Sequence, residues 1–305
     1  MNTETSELMK MVVAKRSRRS ALRTLGIGAV GIGALGLLAS KARAADGPGQ
    51  DAAVLNFALN LEYLEAQYYI YATTGGSIQD QGVAINGMGT QGTVTIKANP
   101  MVPFTSGGPI QQYANEIAAD ELNHVKFLRS ALIGAGEQQV AMPDIDLLNS
   151  FNTAANAAGI ASTFDPFADE TSFLVGAFIF EDVGVTAYHG GAPLITDRDY
   201  LSAAAGILGV EAYHAGIVRT LLYQMGSTTQ SYAAKISALR ATLSGAADDQ
   251  GVVTTGGNPV ANLVPTDSNG VAFSRTTGQV LNIVYGSTSA SPGLFYPSGM
   301  NGAIH

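Results

Sequence analysis

The sequence predicts an all-α protein, an antiparallel four-helix bundle with a long connection between two helices and an irregular C-terminal extension. Three observations lead to this fold class. Four long segments carry apolar side chains at helical spacing. Stretches rich in Gly, Pro, Asn and Thr separate these segments, as is typical of loops. Two of the segments also repeat a Glu-x-x-His pattern, which places both polar side chains on one helix face.

The composition is that of a globular protein and excludes several kinds of site. Of the 305 residues, 46% are hydrophobic, which is enough to bury a large core. The absence of cysteine excludes disulfides, iron–sulfur clusters, thiolate zinc sites and a cysteine nucleophile. Any metal ion must therefore be bound by His, Asp or Glu. The net charge of −8 argues against nucleic acid as a partner.

Residues 1–44 have the features of an export signal. This segment holds half of the 16 basic residues of the chain. It also contains an apolar run at 25–39 that is interrupted by glycines, and it ends in small residues that predict cleavage after Ala44. The sequence 17–23 (SRRSALR) resembles the twin-arginine signal, which implies transport of an already folded protein to the periplasm or the cell exterior. An ordinary secretory signal or a membrane anchor is the alternative. Beyond Ala45 we expect no membrane span.

The helices of the bundle follow within residues 45–245. The first is predicted over 51–73 and the second over 109–133, and the connection 74–108 includes a short strand at 93–96. A linker with a short helix near 146–157 leads to the third and fourth helices, at 169–190 and 199–225. A fifth helix is predicted at 227–243. Residues 246–305 form the C-terminal extension, in which 279–285 resembles a strand.

The polar motifs form an internal repeat. Glu121-Leu-Asn-His124 in the second helix matches Glu211-Ala-Tyr-His214 in the fourth, and aligning the first and third helices pairs Glu62 with Glu181. Each half then supplies one Glu from its first helix and a Glu-x-x-His from its second. Four carboxylates and two imidazoles suit a pair of divalent ions with bridging carboxylates. Iron and manganese fit this donor set, and zinc is also compatible.

The motifs LNFALNLEYLEAQYY and FEDVGVTAYHG resemble the ferritin-like superfamily of di-metal carboxylate bundles, in particular its exported branch of desiccation-related proteins. The resemblance covers residues 51–226. It implies that Glu62, Glu121 and His124 bind one metal and that Glu181, Glu211 and His214 bind the other, with Glu121 and Glu211 as bridges. Superfamily members include iron oxidases, oxygen-activating enzymes and manganese catalases, which implies dioxygen, peroxide or metal ions as substrates.

Several neighbours of these residues have alternative interpretations. Glu65 lies one turn from Glu62 and is the alternative ligand; the repeat favours Glu62, because Glu65 aligns with Gly184. Asp120 is predicted to orient a ligating His, as happens in related bundles. Tyr69 and Tyr188, which the repeat also pairs, are candidates for hydrogen bonds to ligands, although tyrosines at helical spacing commonly lie in a core. Glu116 and His189 are expected at the surface.

Two classes of function fit the sequence. The first is an exported redox enzyme in which the metal pair reacts with dioxygen or peroxide. The second is a structural or protective protein of the cell envelope. The chain beyond the signal is poor in charged residues, which favours self-association into a homo-oligomer or surface assembly. The long first connection argues against a storage cage.

Overall fold

The computed structural model describes residues 48–246, 249–254 and 260–305. The predicted export signal, residues 1–44, lies outside these ranges. The elements follow one another as α1 (Pro48–Thr74), β1 (Val94–Thr95), α2 (Pro109–Gly134), β2 (Ile145–Asp146), α3 (Asn149–Ala157), α4 (Glu170–Gly191), a 3-10 turn (Ala192–Leu194), α5 (Arg198–Gln224), α6 (Ser227–Ser244) and α7 (Thr277–Tyr285).

Helices α1, α2, α4 and α5 form the four-helix bundle, which confirms the predicted fold class. α1 packs along α2 and α4 along α5, and the two pairs meet through α1 with α4 and α2 with α5. Local signals set the helix ends: Asp169 accepts a hydrogen bond from the backbone N–H of Ser172, and Asp197 does the same for Asp199 and Tyr200. The predicted fifth helix is α6.

The prediction of a strand at 279–285 is wrong, because these residues form α7. Thr276 and Gln279 make a capping box at its start, and Gly286, with φ of 64°, ends it. The apolar residues that suggest a strand are buried here on one side of a short helix. The helix packs against α6.

The long connection and the C-terminal extension are held together at Asn301. Its backbone N–H donates to Asn60 Oδ1 of α1, and its side-chain amide donates to the carbonyl oxygens of Thr90 and Ala141. Nearby, β1 pairs in parallel with β2, and the Tyr296 hydroxyl donates to the carbonyl oxygen of Asn60 at 2.7 Å. These contacts attach three distant segments to α1, the helix that carries Glu62 and Glu65.

Two segments reach the length and hydropathy of a membrane span, contrary to the expectation from sequence: Glu170–Leu194 and Arg198–Gln224. Core helices of soluble proteins meet the same criterion. The most apolar part of the first segment is 72% buried inside the protein, and that of the second is 33% buried. Since these segments comprise α4 and α5, which pack together and enclose Glu181 and Glu211, we interpret both as bundle helices.

Candidate metal centre

The four bundle helices bring all six predicted ligands to one buried place. Glu62 on α1 and Glu181 on α4 face the Glu-x-x-His turns of α2 and α5, and every one of the six side chains is buried: Glu62, Glu121, His124, Glu181, Glu211 and His214. The spacing of three residues lets each Glu and its His point inward from one helix face. The predicted convergence is therefore present in the structure.

The donor atoms fall into overlapping groups in which the atoms lie within 4.8 Å of one another. One group contains Glu62, Glu121, His124 and Glu211, and a second contains Glu121, Glu181 and His214. A third joins Glu121, Glu181 and Glu211 to Glu65. Glu121 belongs to all three groups, so its carboxylate lies between the two histidines, whereas Glu211 shares a group with His124 and another with Glu181.

Each imidazole presents its Nδ1 atom to the carboxylates. His124 Nδ1 lies 3.2 Å from Glu62 Oε2 and 3.5 Å from one oxygen each of Glu121 and Glu211. His214 Nδ1 lies 3.0 Å from Glu121 Oε1 and 3.7 Å from Glu181 Oε2. The two rings therefore face Glu121 from opposite halves of the bundle, His124 toward its Oε2 atom and His214 toward its Oε1 atom.

Unpaired donor and acceptor atoms at the centre indicate a cation site. Within the described part of the chain, none of these buried atoms makes a hydrogen bond of good geometry, although His214 Nδ1 lies 3.0 Å from Glu121 Oε1: both oxygens of Glu121 and Glu211, Glu181 Oε2 and His214 Nδ1. Buried polar atoms without partners are costly and rare in proteins. Carboxylate oxygens and imidazole nitrogens are ligands for divalent metal ions, so the donor set fits such ions. A bound ion would give the unpaired atoms a partner.

Burial and crowding shift the pKa values of the carboxyl and imidazole groups in the centre. Burial raises the pKa of Glu62 to about 7 and that of Glu181 to about 8. Burial alone would raise the pKa of Glu121 as well, but His124 and then His214 lower it below its usual range. For His124, burial favours a lower pKa, yet the carboxylates of Glu62 and Glu121 raise it to about 11.

Two tyrosines connect the halves of the bundle. The Tyr69 hydroxyl of α1 donates to Glu181 of α4, and the Tyr188 hydroxyl of α4 donates to Glu62 of α1. Both tyrosines are buried. The two hydrogen bonds are related by the same internal repeat as the ligands, and each one holds a carboxylate of the opposite half.

Asp120 contacts only one of the two histidines. Its Oδ2 lies 3.2 Å from His214 Nε2, on the side of the ring away from the carboxylates. Its side chain is 43% exposed, so it connects the buried imidazole to the surface. The equivalent residue beside His124 is Val210, which has no polar group. His124 is itself 8% exposed, and the centre therefore approaches the surface at α2.

Glu65 lies in the centre together with Glu62, although the sequence analysis predicts one of the two as the ligand and the other as its alternative. It is 6% exposed, and its pKa is raised well above the usual value by burial and then by Glu121 and Glu181. Its counterpart Gly184 leaves room for Glu211, because a Cβ at Gly184 would lie 2.2 Å from Glu211 Oε2. Its spacing of one helical turn from Glu62 is the signal for a shared location.

Other polar residues lie outside the centre. Glu116 is exposed, as predicted. His189 is half-buried, and its Nδ1 lies 3.1 Å from the carbonyl oxygen of Phe273 in the extension. Tyr213, next to His214, is 78% exposed and takes no part in the centre.

A buried network of arginine and aspartate adjoins the centre, and the sequence analysis does not predict it. Asp182, which follows Glu181, binds Arg219 at 2.7 Å and Arg240 at 2.8 Å. Asp249 binds Arg240 and Arg275, each at 2.8 Å. One signal was present in the repeat: Arg129 and Arg219 both follow the histidine of a Glu-x-x-His motif by five residues, and both are buried.

Comparison with known proteins agrees with this architecture. The family description of the ferritin-like domain matches residues 50–224. The chain is 30% identical over 280 residues to the desiccation-related protein PCC13-62 of Craterostigma plantagineum, which covers 84% of this chain and 85% of the relative. It is 25% identical over 271 residues to the ferritin-like catalase Nec2 of Nesocodon mauritianus, with coverage of 83% and 84%. The chain therefore belongs to the ferritin-like domain family and, within it, to the branch of the desiccation-related proteins.

Proposed function

We propose that this chain is an exported oxidoreductase that binds two divalent metal ions, iron or manganese, and uses them in a redox reaction of hydrogen peroxide or dioxygen. The observation that carries the proposal is the pair of donor groups that share Glu121. Glu62 and His124 would hold one ion, and Glu181 and His214 the other. Glu121 and Glu211 would bridge them.

Peroxide disproportionation is the reaction that one relative favours, since it is named a ferritin-like catalase. In this reaction one hydrogen peroxide is oxidised to dioxygen and a second is reduced to water. A pair of redox-active ions supplies the two-electron change that this balance requires.

The chain's own residues would bind and orient the ions and limit access to them. Tyr69 and Tyr188 hold Glu181 and Glu62 in place through their hydroxyl groups. Asp120 contacts His214 on the ring nitrogen that faces away from the centre and would orient the imidazole. Burial of all six side chains excludes bulk water, and access on the α2 side, where Asp120 is 43% exposed beside His214, suits small molecules such as peroxide.

The experiment compares natively exported protein with a variant of the bridging carboxylates. Protein recovered from the periplasm or medium is analysed for metal content, for its N-terminal residue, and for dioxygen release from peroxide. We expect about two metal ions per chain, an N-terminus at Ala45, and peroxide turnover. The double variant Glu121→Gln with Glu211→Gln should lose both metal and turnover, whereas the exposed-site control Glu116→Gln should keep both. A metal-free wild-type protein, or undiminished turnover in the double variant, would contradict the proposal.

A protective role without turnover is the second candidate. It is supported by the 30% identity to a protein named desiccation-related and by the low content of charged residues, 13% of the chain. Two tightly bound metal ions with no consumption of peroxide or dioxygen would favour this role. Self-association of the purified protein, measured by light scattering, would support it further.

A further inference from the structure

We propose that Glu65 is an additional ligand of only one of the two metal positions, so that the positions are unequal and the Glu181–His214 position fills first. This inference rests on the proposed function, because it concerns the order in which the same centre takes up its ions. It assigns a role to a buried carboxylate that the symmetric set of six ligands leaves unused.

The location of Glu65 relates it to one half of the centre. One of its carboxylate oxygens lies within 4.8 Å of donor oxygens of Glu121, Glu181 and Glu211. Glu62 and His124 form the other group, together with Glu121 and Glu211. Glu65 therefore adds negative charge on the side of Glu181, although it comes from the same helix as Glu62.

The charge of His124 only partly offsets the carboxylates that surround Glu65. In the described ranges, neither a lysine nor an arginine forms an ion pair with its carboxylate, and the side chain is 6% exposed. The nearest partners are carboxylates of the same cluster. The charged form of a buried carboxylate in such surroundings is strongly unfavourable unless a cation binds to it, and without a cation the group takes up a proton. A divalent ion bound between Glu65, Glu181 and the bridging carboxylates satisfies this requirement.

The other half of the bundle has no equivalent carboxylate. The repeat places Gly184 opposite Glu65, and a Cβ at Gly184 would lie 2.2 Å from Glu211 Oε2. The space that a side chain would need is thus taken up by a bridging ligand. The absence of a carboxylate at this position therefore follows from the close packing of α4 against α5.

A second asymmetry favours the same position. Asp120 Oδ2 lies 3.2 Å from His214 Nε2, whereas the residue equivalent to Asp120 beside His124 is Val210. A carboxylate on the outer ring nitrogen orients a ligating histidine and increases its basicity. The Glu181–His214 position therefore has both the extra carboxylate and the oriented imidazole, and it should have the higher affinity.

The test is a titration of the metal-free full-length chain with Mn²⁺. Calorimetry measures the affinity of each binding step, and electron paramagnetic resonance reports whether the bound ions are isolated or coupled. For the wild type we expect two binding steps of different affinity. At one equivalent the spectrum should show isolated Mn²⁺, and the second equivalent should convert it into a spin-coupled pair.

The variants separate the two steps. Glu65→Gln keeps the shape of the side chain and should weaken the first step by about tenfold or more, the range typical of disturbed ligand shells. Glu62→Gln should weaken the second step and leave the first unchanged. Glu116→Gln, on the exposed face of α2, should change neither step. Equal affinities in the wild type, or a Glu65→Gln variant with both steps unchanged, would overturn the inference while leaving the proposed function intact.

A wild-type chain that binds no Mn²⁺ would contradict the proposed function and the inference together. A second measurement does not depend on how Glu65→Gln folds. Crystals of the wild type soaked with less than one equivalent of Mn²⁺ should show their anomalous peak beside Glu181 and His214. A peak beside Glu62 and His124 would overturn the inference.

Discussion

At the scale of single residues, the centre depends on hydroxyl groups that cross between the two halves. Tyr188 donates to Glu62 and Tyr69 to Glu181. We expect Tyr188→Phe to weaken Mn²⁺ binding at the Glu62–His124 position by about tenfold, because the released carboxylate loses its orientation. Tyr69→Phe should do the same at the Glu181–His214 position.

Calorimetric titration measures both effects, and Tyr213→Phe, a change at a 78% exposed side chain, is the matched control. Identical affinities in all three variants would show that the hydroxyl groups do not position the ligands.

At the scale of secondary-structure elements, α4 carries two neighbouring buried acidic residues that contact different partners. Glu181 points to the metal centre, and Asp182 points away from it to Arg219 of α5 and Arg240 of α6. We expect Asp182→Asn to lower the free energy of unfolding by about 3–5 kcal/mol, because both buried guanidinium groups lose their shared carboxylate.

Urea unfolding of the metal-free protein measures this effect on α4 without a contribution from bound ions. Lys97→Met is the control, since Lys97 pairs with Asp165 where the side chains are 31% and 41% exposed. A pair this exposed should contribute less than about 1 kcal/mol. Equal losses in the two variants would mean that the buried network does not connect α4 to α5 and α6 as described.

At the scale of the whole molecule, the crowded carboxylates make stability depend on pH. The pKa of Glu62 rises from 4.5 to about 7 and that of Glu181 to about 8 in the folded protein. An acid with a raised pKa in the folded state contributes stability that is present below its unfolded pKa and is lost as the pH rises through the folded pKa. The free energy of unfolding of the metal-free protein should therefore fall between about pH 5 and pH 8. The histidines act in the same direction above 6.5, with folded pKa values of about 11 for His124 and about 10 for His214.

Bound metal should reverse this dependence, because divalent ions bind deprotonated ligands. The difference in melting temperature between Mn²⁺-loaded and metal-free protein is expected to grow across the same pH range. Thermal unfolding at several pH values measures it. The double variant Glu62→Gln with Glu181→Gln removes two titrating groups and should flatten the curve of the metal-free protein. A metal-free wild type that gains stability from pH 5 to pH 8 would contradict this account.

Much of the fold and of the centre was predictable because the signals are local. The bundle helices, the fifth helix and the six buried ligand candidates follow from helical periodicity and from Glu-x-x-His spacing, which act within one or two turns. Residues 279–285 were wrongly predicted as a strand, because a short apolar run fits a buried strand and a buried helix equally well. The capping box of Thr276 and Gln279 was the local sign of a helix.

The sequence by itself determined the four bundle helices and the fifth helix, and which side chains of each share a face, because both depend on neighbours along the chain. Only the tertiary structure decided that Glu65 joins the side of Glu181, that Tyr69 and Tyr188 exchange partners between halves, and that Asp182 turns to the arginines. Each of these contacts joins helices far apart in sequence. Their existence depends on how closely and at what level the helices pack, and no periodicity within a single helix specifies that.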